Sequence, residues 1–88
     1  MKEPKVSVIM PVYNGEQTIK LALSSLRNQS YTNWECITVN DGSTDNTDKI
    51  LNEITDPRFK VIHLKNNVGR GSARQVCLDN VDGNYLTY

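Results

Sequence analysis

The chain has 88 residues, of which 38% are hydrophobic and 23% are charged. This length suits one domain with a modest core, and the composition excludes a disordered chain. The charges of ten basic and ten acidic side chains cancel. The protein therefore has no net charge that would attract it to nucleic acid or to an anionic membrane. The longest apolar stretch, residues 6–12, is too short to span a bilayer, and the first residues do not resemble a signal peptide. We therefore expect a cytoplasmic domain that does not bind nucleic acid.

The first half of the chain alternates strand-like and helix-like segments. Residues 5–12 are β-rich and mostly apolar, as in a strand that is buried on both faces of a parallel sheet. Residues 16–29 follow an Asn-Gly break and carry apolar side chains at helical spacing, which predicts a first helix. Residues 34–39 predict a second strand, which the polar segment 40–43 ends.

The second half repeats this alternation. A second helix contains Ile50 and Ile54, with Thr44 or Asp45 as its cap. Residues 59–64 predict a third strand, and apolar side chains from 73 to 81 predict a third helix. Residues 85–88 begin a fourth strand, inside which the sequence ends. The order β-α-β-α-β-α-β predicts an α/β fold whose helices cover a parallel sheet, truncated within its fourth strand.

The two cysteines, Cys36 and Cys77, lack the paired spacing of a metal site. We expect them to be buried, reduced side chains that behave as small apolar groups. They therefore add nothing to a functional assignment.

Polar segments follow the predicted strands at their carboxyl ends: residues 11–15, 40–45 and 65–71. In open α/β sheets, ligands bind at this edge, so these segments are expected to converge on one site. Tyr13 offers a ring for stacking, Asp41 a carboxylate acceptor, and Arg74 a cation for a phosphate or a base carbonyl. Each also has a structural interpretation, as a half-buried strand-end tyrosine, a turn-forming aspartate and a solvated helix arginine. The geometry alone predicts a site without fixing its ligand.

Five segments carry related motifs in order: VSVIMPVYN at 6–14, QSYTNWE at 29–35, VNDGSTD at 39–45, NVG and AR within 67–74, and DGNYL at 82–86. As a set, they resemble the family 2 glycosyltransferases of the GT-A fold, over nearly the whole chain. One departure is Asn40, which stands where many members carry a first aspartate before the counterpart of Asp41. The resemblance implies a Rossmann-like fold, of which residues 1–88 form the incomplete N-terminal, nucleotide-sugar-binding part.

The resemblance also implies a set of nucleotide-binding positions: Pro11, Val12, Tyr13, Glu16, Asp41 and Arg74. In the family, the segment that matches residues 11–13 holds the base, and the counterpart of Asp41 bonds it, commonly as uracil. The implied reaction is an inverting transfer of a sugar from a nucleotide-sugar, a UDP-sugar, to a glycan or lipid-linked acceptor. Such reactions serve polysaccharide, cell-wall or capsule biogenesis.

The family's metal motif and general base would lie beyond Tyr88, so we expect no catalytic or metal-binding residue in this chain. The full-length enzyme is expected to use Mn²⁺ or Mg²⁺, which would offset charge on the leaving diphosphate. This fragment is expected to bind no metal and to be inactive alone. Any membrane association of the full-length protein is expected on the cytoplasmic face.

Two further interpretations are open from the residues. One is a non-catalytic nucleotide-binding or interaction module, and the other is a different α/β fold, such as a nucleotidyltransferase-like domain. A sheet cut at its fourth strand would expose an edge that invites pairing, so a homodimer or aggregation is expected.

Overall fold

The computed structural model of the chain describes residues 5–83 and, for the backbone alone, residues 85–87. Strands and helices alternate through this part: β1 (Val6–Val12), α1 (Glu16–Arg27), β2 (Trp34–Asp41), α2 (Thr47–Asn52), β3 (Phe59–Leu64), α3 (Arg70–Asp79) and β4 (Tyr85–Thr87). This order confirms the predicted α/β fold. Tyr88, the last residue of the predicted fourth strand, lies outside the described residues.

The sheet is parallel, and its strand order is β3-β2-β1-β4. The chain moves outward from β1 to β2 and β3, and then returns across the sheet to place β4 on the other side of β1. The order therefore reverses at β1, and such a switch point opens a crevice at the carboxyl ends of the strands. Val12 pairs with Asn40, and Asp41 pairs with Leu64, so these three strands end at the same edge.

Alternation along the strands separates two apolar layers. Even-numbered side chains of β1 and β2, such as Val8 and Cys36, pack with Ile19 of α1 and Leu51 of α2. Odd-numbered side chains, such as Ile37, pack against α3. Because successive strand residues point to opposite faces, helices on both sides bury β2 along its whole length.

Both cysteines are free and buried, which confirms their prediction as small apolar side chains. Cys36 lies in the layer of α1 and α2, whereas Cys77 belongs to α3 on the other face. Burial raises the pKa of Cys36 to about 11 and also raises the pKa of Cys77, so both thiols stay protonated at neutral pH.

β2 is two residues longer than the sequence predicts. It continues to Asp41 because Asn40 and Asp41 still pair with β1 and β3. The polar composition of residues 40–43 favours a loop locally, but neighbouring strands satisfy the backbone of the first two. As a result, Asp41 is part of the sheet, which fixes its position at the edge.

α1 begins at Glu16 as predicted, but other helix boundaries differ from the prediction. α1 ends at Arg27, with Asn28 as its C-cap, and not at residue 29. α2 begins at Thr47, so neither Thr44 nor Asp45 is its cap residue. Asp45 instead accepts the backbone N–H of Thr47 at 2.9 Å, which satisfies a donor of the first turn. No helix within residues 5–83 and 85–87 has the length and apolar character needed to cross a bilayer.

A buried carboxylate, Glu35, lies at the amino edge of the sheet, and only 2% of its surface is exposed. Its Oε2 accepts hydrogen bonds from the Ser7 hydroxyl at 2.6 Å and from the backbone N–H groups of Asp82 and Gly83 at 2.6 and 3.1 Å. Its Oε1 lies 2.9 Å from the Lys60 ammonium. The cluster therefore joins β1, β2 and β3 to the segment that leads into β4.

These donors hold Glu35 in its ionised form. Burial alone would raise its pKa, but hydrogen bonds from Ser7, Lys60 and Asp82 outweigh burial and lower the pKa from 4.5 to about 2. Gly83 has no side chain to obstruct this contact, since a Cβ there would overlap the Ser7 hydroxyl. At the amino edge, backbone and side-chain groups of the protein therefore surround the Glu35 carboxylate.

Candidate functional site

A cavity of about 380 Å³ lies at the opposite, carboxyl edge of the sheet, beyond the end of β1. Its lining comes from the exit of β1, the end of β2 and the start of α3: Pro11, Val12, Tyr13, Asp41, Asn67, Gly69, Arg70 and Ala73. Its volume falls in the range of small-molecule sites. The cavity occupies the crevice that the reversal of strand order produces.

Tyr13 is the aromatic side chain of this cavity, and 51% of its surface is exposed. It follows Val12 directly, where β1 leaves the sheet. An exposed ring at a cavity wall can stack on a flat ligand such as a nucleobase.

Asp41, the last residue of β2, is only 3% exposed, yet it lines the cavity. Its Oδ1 accepts the backbone N–H of Val68 at 2.8 Å, and its Oδ2 accepts that of Gly69 at 3.1 Å. An ionised carboxylate has about four acceptor positions, so these two bonds leave capacity for a ligand donor. Asp41 therefore fixes the loop before α3, and its carboxylate retains acceptor capacity beyond these two bonds.

Two loops meet closely behind Asp41. Gly42 has a φ of 67°, and a Cβ there would lie 2.5 Å from the backbone nitrogen of Asn67. The Asn67 side-chain amide donates to the carbonyl oxygen of Asp41 at 3.2 Å. Glycine at 42 thus lets the loop before α3 pack directly onto the end of β2, which brings the start of α3 to the cavity.

The N-terminus of α3 faces this region. Gly69 precedes the helix with a φ of 95°, and no side chain caps the first turn through a hydrogen bond. The first backbone N–H groups of a helix lack intrahelical partners and carry partial positive charge. Together with the guanidinium of Arg70, they make this end of the cavity suited to an anion.

The structure brings together four of the six residues that the sequence predicts for the site. Pro11, Val12, Tyr13 and Asp41 line the cavity.

The other two lie outside it. Glu16 lines a separate depression of about 240 Å³ together with Lys20 and Lys49. Arg74 is exposed, one helical turn beyond Arg70, and is not among the lining residues. Arg70 takes the cavity position because α3 begins there, directly after the loop that Asp41 anchors.

Sequence reasoning missed Asn67 and Arg70 as individual residues. Both belong to the segment 65–71, which follows the third strand and is predicted at this edge for that reason. The position of this segment after a strand therefore indicated the region, while the family motif indicated Arg74.

Within residues 5–83 and 85–87, no group of three or more histidine, cysteine, aspartate or glutamate side chains could hold a metal ion. The cavity offers a carboxylate, an arginine and backbone donors, which suit a polar organic anion.

Comparison with known proteins agrees with the motifs. The sequence profile of Glycosyl transferase family 2 matches residues 7–88. Over 88 residues, the chain is 36% identical to the Escherichia coli UDP-Glc:alpha-D-GlcNAc-diphosphoundecaprenol beta-1,3-glucosyltransferase WfgD, with 100% of this chain and 35% of that protein covered.

Two solved structures share the fold. S. aureus TarS 1–349 in complex with UDP is similar with a TM-score of 0.86 and 36% identity, over 93% of this chain and 25% of that one. The mannosyltransferase PcManGT from Pyrobaculum calidifontis, solved with GDP-Man and Mn²⁺, has a TM-score of 0.86 and 25% identity, over 97% of this chain and 26% of that one.

The chain spans only 12% to 36% of the length of three of its curated relatives. Within that span, the family profile covers nearly every residue. The chain therefore belongs to glycosyl transferase family 2 and has the GT-A fold of its glycosyltransferase neighbours.

Proposed function

We propose that the cavity binds the nucleoside diphosphate of a UDP-sugar, in a glycosyltransferase that passes the sugar with inversion to a glycan or lipid-linked acceptor. The observation that carries the proposal is the meeting of Tyr13, Asp41 and Arg70 around one cavity. A ring, an acceptor carboxylate and a cation beside a helix N-terminus complement a nucleobase and a diphosphate.

The base would lie against the exit of β1. In this arrangement Tyr13 stacks on the ring, and Pro11 and Val12 supply apolar wall. Asp41 accepts the uracil N3–H with lone pairs that its two backbone bonds leave free. Uracil is favoured over guanine because WfgD and TarS, each 36% identical, are named with UDP-Glc or UDP.

The diphosphate would lie toward α3. Arg70 and the first backbone N–H groups of the helix are the cationic and donor groups on that side. Arg70 replaces Arg74 in this role because it lines the cavity.

The transfer step is proposed for the complete enzyme. An inverting reaction requires a base that deprotonates the acceptor hydroxyl, and a divalent ion would offset charge on the leaving diphosphate. PcManGT is described with Mn²⁺, whereas the described residues of this chain contain no candidate metal cluster. We therefore expect this chain alone to bind the nucleotide without transferring sugar. A lipid-linked acceptor is proposed by likeness to WfgD, whose name specifies a diphosphoundecaprenol acceptor.

Titration calorimetry of the chain with UDP, GDP and uridine tests the nucleotide proposal. Stacking of about 1–3 kcal/mol and a charged hydrogen bond of about 1.5–3 kcal/mol add to about 2.5–6 kcal/mol, and the middle of that range predicts a UDP dissociation constant of about 1 mM. Uridine should bind more weakly, because it lacks the diphosphate. No detectable UDP binding at millimolar concentration, or tighter binding of GDP, would contradict the proposal.

Dimerisation and a cytoplasmic location are also part of the proposal. β3 and β4 are the outer strands of the described sheet, and each offers an edge to a second copy. Light scattering at high concentration should detect the dimer, and a strictly monomeric elution would count against it.

A further inference from the structure

We infer that Asn14 is a positioning residue, which holds Tyr13 at the cavity by fastening the exit of β1 to the exit of β2. The inference rests on the proposed function, because it concerns the same nucleotide site. It adds a residue that neither lines the cavity nor belongs to the predicted nucleotide-binding set.

Asn14 contacts the β2 exit through both its backbone and its side chain. Its backbone N–H donates to the hydroxyl oxygen of Ser43 at 3.0 Å. Its side-chain Oδ1 accepts the backbone N–H of Thr44 at 2.7 Å and that of Asp45 at 3.3 Å. One side chain therefore satisfies two backbone donors across a gap of 30 and 31 positions in sequence.

The backbone of Asn14 lies in the left-handed region, with a φ of 48°. Asparagine tolerates this conformation better than most residues, but it persists only where surrounding contacts hold it. The turn directly follows Tyr13, so it determines the direction in which the chain leaves the ring. The contacts of Asn14 to residues 43–45 hold the turn, together with the bond from the Gly15 backbone N–H to the Thr47 hydroxyl oxygen at 3.2 Å.

The segment that follows β2 is itself held to the sheet by hydrogen bonds, so the partners of Asn14 have fixed positions. The Ser43 backbone N–H donates to Oδ1 of Asn40 at 3.2 Å. Asn40 is buried in β2, and its side-chain nitrogen lies 3.0 Å from Nδ1 of His63 on β3. A continuous set of hydrogen bonds thus runs from the sheet to the residue beside Tyr13.

This arrangement makes two demands on position 14, a positive φ and an acceptor oxygen. Glycine meets the first demand and not the second, so Asn14→Gly separates them. A matched control is Asn46→Gly, at the start of α2, where the asparagine side chain makes no capping hydrogen bond. Glycine at such a position costs little.

Amide hydrogen exchange by NMR measures the hydrogen bonds from Thr44 and Asp45 to Asn14 without any ligand. In Asn14→Gly, exchange at Thr44 and Asp45 should accelerate by roughly tenfold, since each loses an acceptor. The amide chemical shift of Tyr13 should change as well. Asn46→Gly should leave both observations as in the wild type. Unchanged exchange at Thr44 and Asp45 in Asn14→Gly would overturn the inference, whether or not UDP binds.

UDP affinity measures the consequence for the site. Asn14→Gly should weaken UDP binding by roughly tenfold, the value of about one lost hydrogen bond. If Asn14 acts through Tyr13, Tyr13→Ala and the double variant Tyr13→Ala/Asn14→Gly should bind UDP equally. Additive losses, or unchanged affinity in Asn14→Gly, would overturn the inference. A wild-type chain that did not bind UDP would contradict the proposed function, and the exchange measurement would then decide the role of Asn14.

Discussion

The two ends of β2 carry carboxylates on the same face of the sheet, and they differ in how completely the protein satisfies them. Glu35 and Asp41 are 2% and 3% exposed, with Ile37 and Val39 between them in the layer that packs against α3. Glu35 has a hydroxyl, two backbone N–H groups and an ammonium as partners. Asp41 has two backbone N–H groups and lines a cavity. Burial alone therefore does not distinguish these two carboxylates, whereas the number of hydrogen-bond partners and the contact with the cavity do.

Glycines permit close approach of the backbone at both edges, with different results. At the amino edge, Gly83 lets the backbone approach Ser7 closely, and its N–H donates to the Ser7 hydroxyl oxygen and to Glu35. At the carboxyl edge, Gly42 and Gly69 have positive φ angles, which shape loops around the cavity. The first arrangement completes a buried polar cluster, and the second shapes the lining of the cavity.

The largest predicted effect is a loss of stability when the charge of Glu35, at the amino edge, is removed. Glu35→Gln should lower the free energy of unfolding by about 3 kcal/mol at neutral pH, from a pKa lowered from 4.5 to about 2. UDP affinity should not change, because Glu35 lies at the edge opposite the cavity. Urea denaturation and calorimetry measure the two quantities. A loss of stability below about 1 kcal/mol would show that the cluster is not structural.

The pH dependence checks the same assignment. Because the folded-state pKa of Glu35 is lowered, its contribution is present above pH 4.5 and is lost as the pH falls toward about 2. Hydrogen bonds from Thr47 and Arg58 also lower the pKa values of Asp45 and Asp56, and these groups stay in the variant. The difference between wild type and Glu35→Gln should therefore shrink across this window. A constant difference would contradict the assignment.

At the carboxyl edge, we expect a substitution to weaken UDP binding more than it lowers stability. Asp41→Asn should weaken UDP binding by roughly 30-fold, the value of a charged hydrogen bond of about 2 kcal/mol. Its unfolding free energy should fall by only about 1 kcal/mol, since one of two backbone N–H groups keeps an oxygen acceptor. If stability fell and UDP affinity did not, Asp41 would be a second structural carboxylate.

Tyr13→Ala should separate binding from folding more cleanly. The ring is half exposed, so the free energy of unfolding should change by less than about 0.5 kcal/mol. Loss of stacking should raise the UDP dissociation constant by roughly tenfold. Leu21, 73% exposed on α1, offers a control in Leu21→Ala, which should change neither quantity. Equal UDP affinity in Tyr13→Ala and Leu21→Ala would remove the stacking role.

The smallest effect distinguishes two arginines of α3. Arg70→Ala should weaken UDP binding by roughly fivefold, about 1 kcal/mol for a solvent-exposed pairing with phosphate, and should leave uridine binding unchanged. Arg74→Ala should have the smaller effect on UDP, because Arg74 does not line the cavity. A larger effect from Arg74→Ala would favour the assignment that the sequence motif implies.

The carboxyl edge was predictable from sequence because its features are local. Strand exits are polar and interrupt apolar runs, so the sequence alone assigns Tyr13 and Asp41 to one edge of the sheet. That Arg70 lines the cavity and Arg74 does not was not predictable in this way. It depends on where α3 begins, which Asp41 sets through a bond to Gly69, 28 positions away.

The amino edge was not predictable because its contacts are long-range. Glu35 meets Ser7 across 28 positions and Asp82 across 47. Its neighbours in sequence, Trp34 and Cys36, suggest only a buried strand. Nothing in that local pattern identifies Glu35 as the centre of a polar cluster. The bond from Thr44 to Asn14 was missed for the same reason.

NMR mapping of amide shifts during titration with UDP tests the separation of the two edges most directly. We expect the largest changes at residues 11–15, 41–45 and 67–70, which surround the cavity. Little change is expected at Ser7, Glu35, Lys60 and Gly83. Shifts centred on the Glu35 cluster, or none at Tyr13 and Asp41 while UDP binds, would contradict the assignment of the carboxyl edge as the nucleotide site.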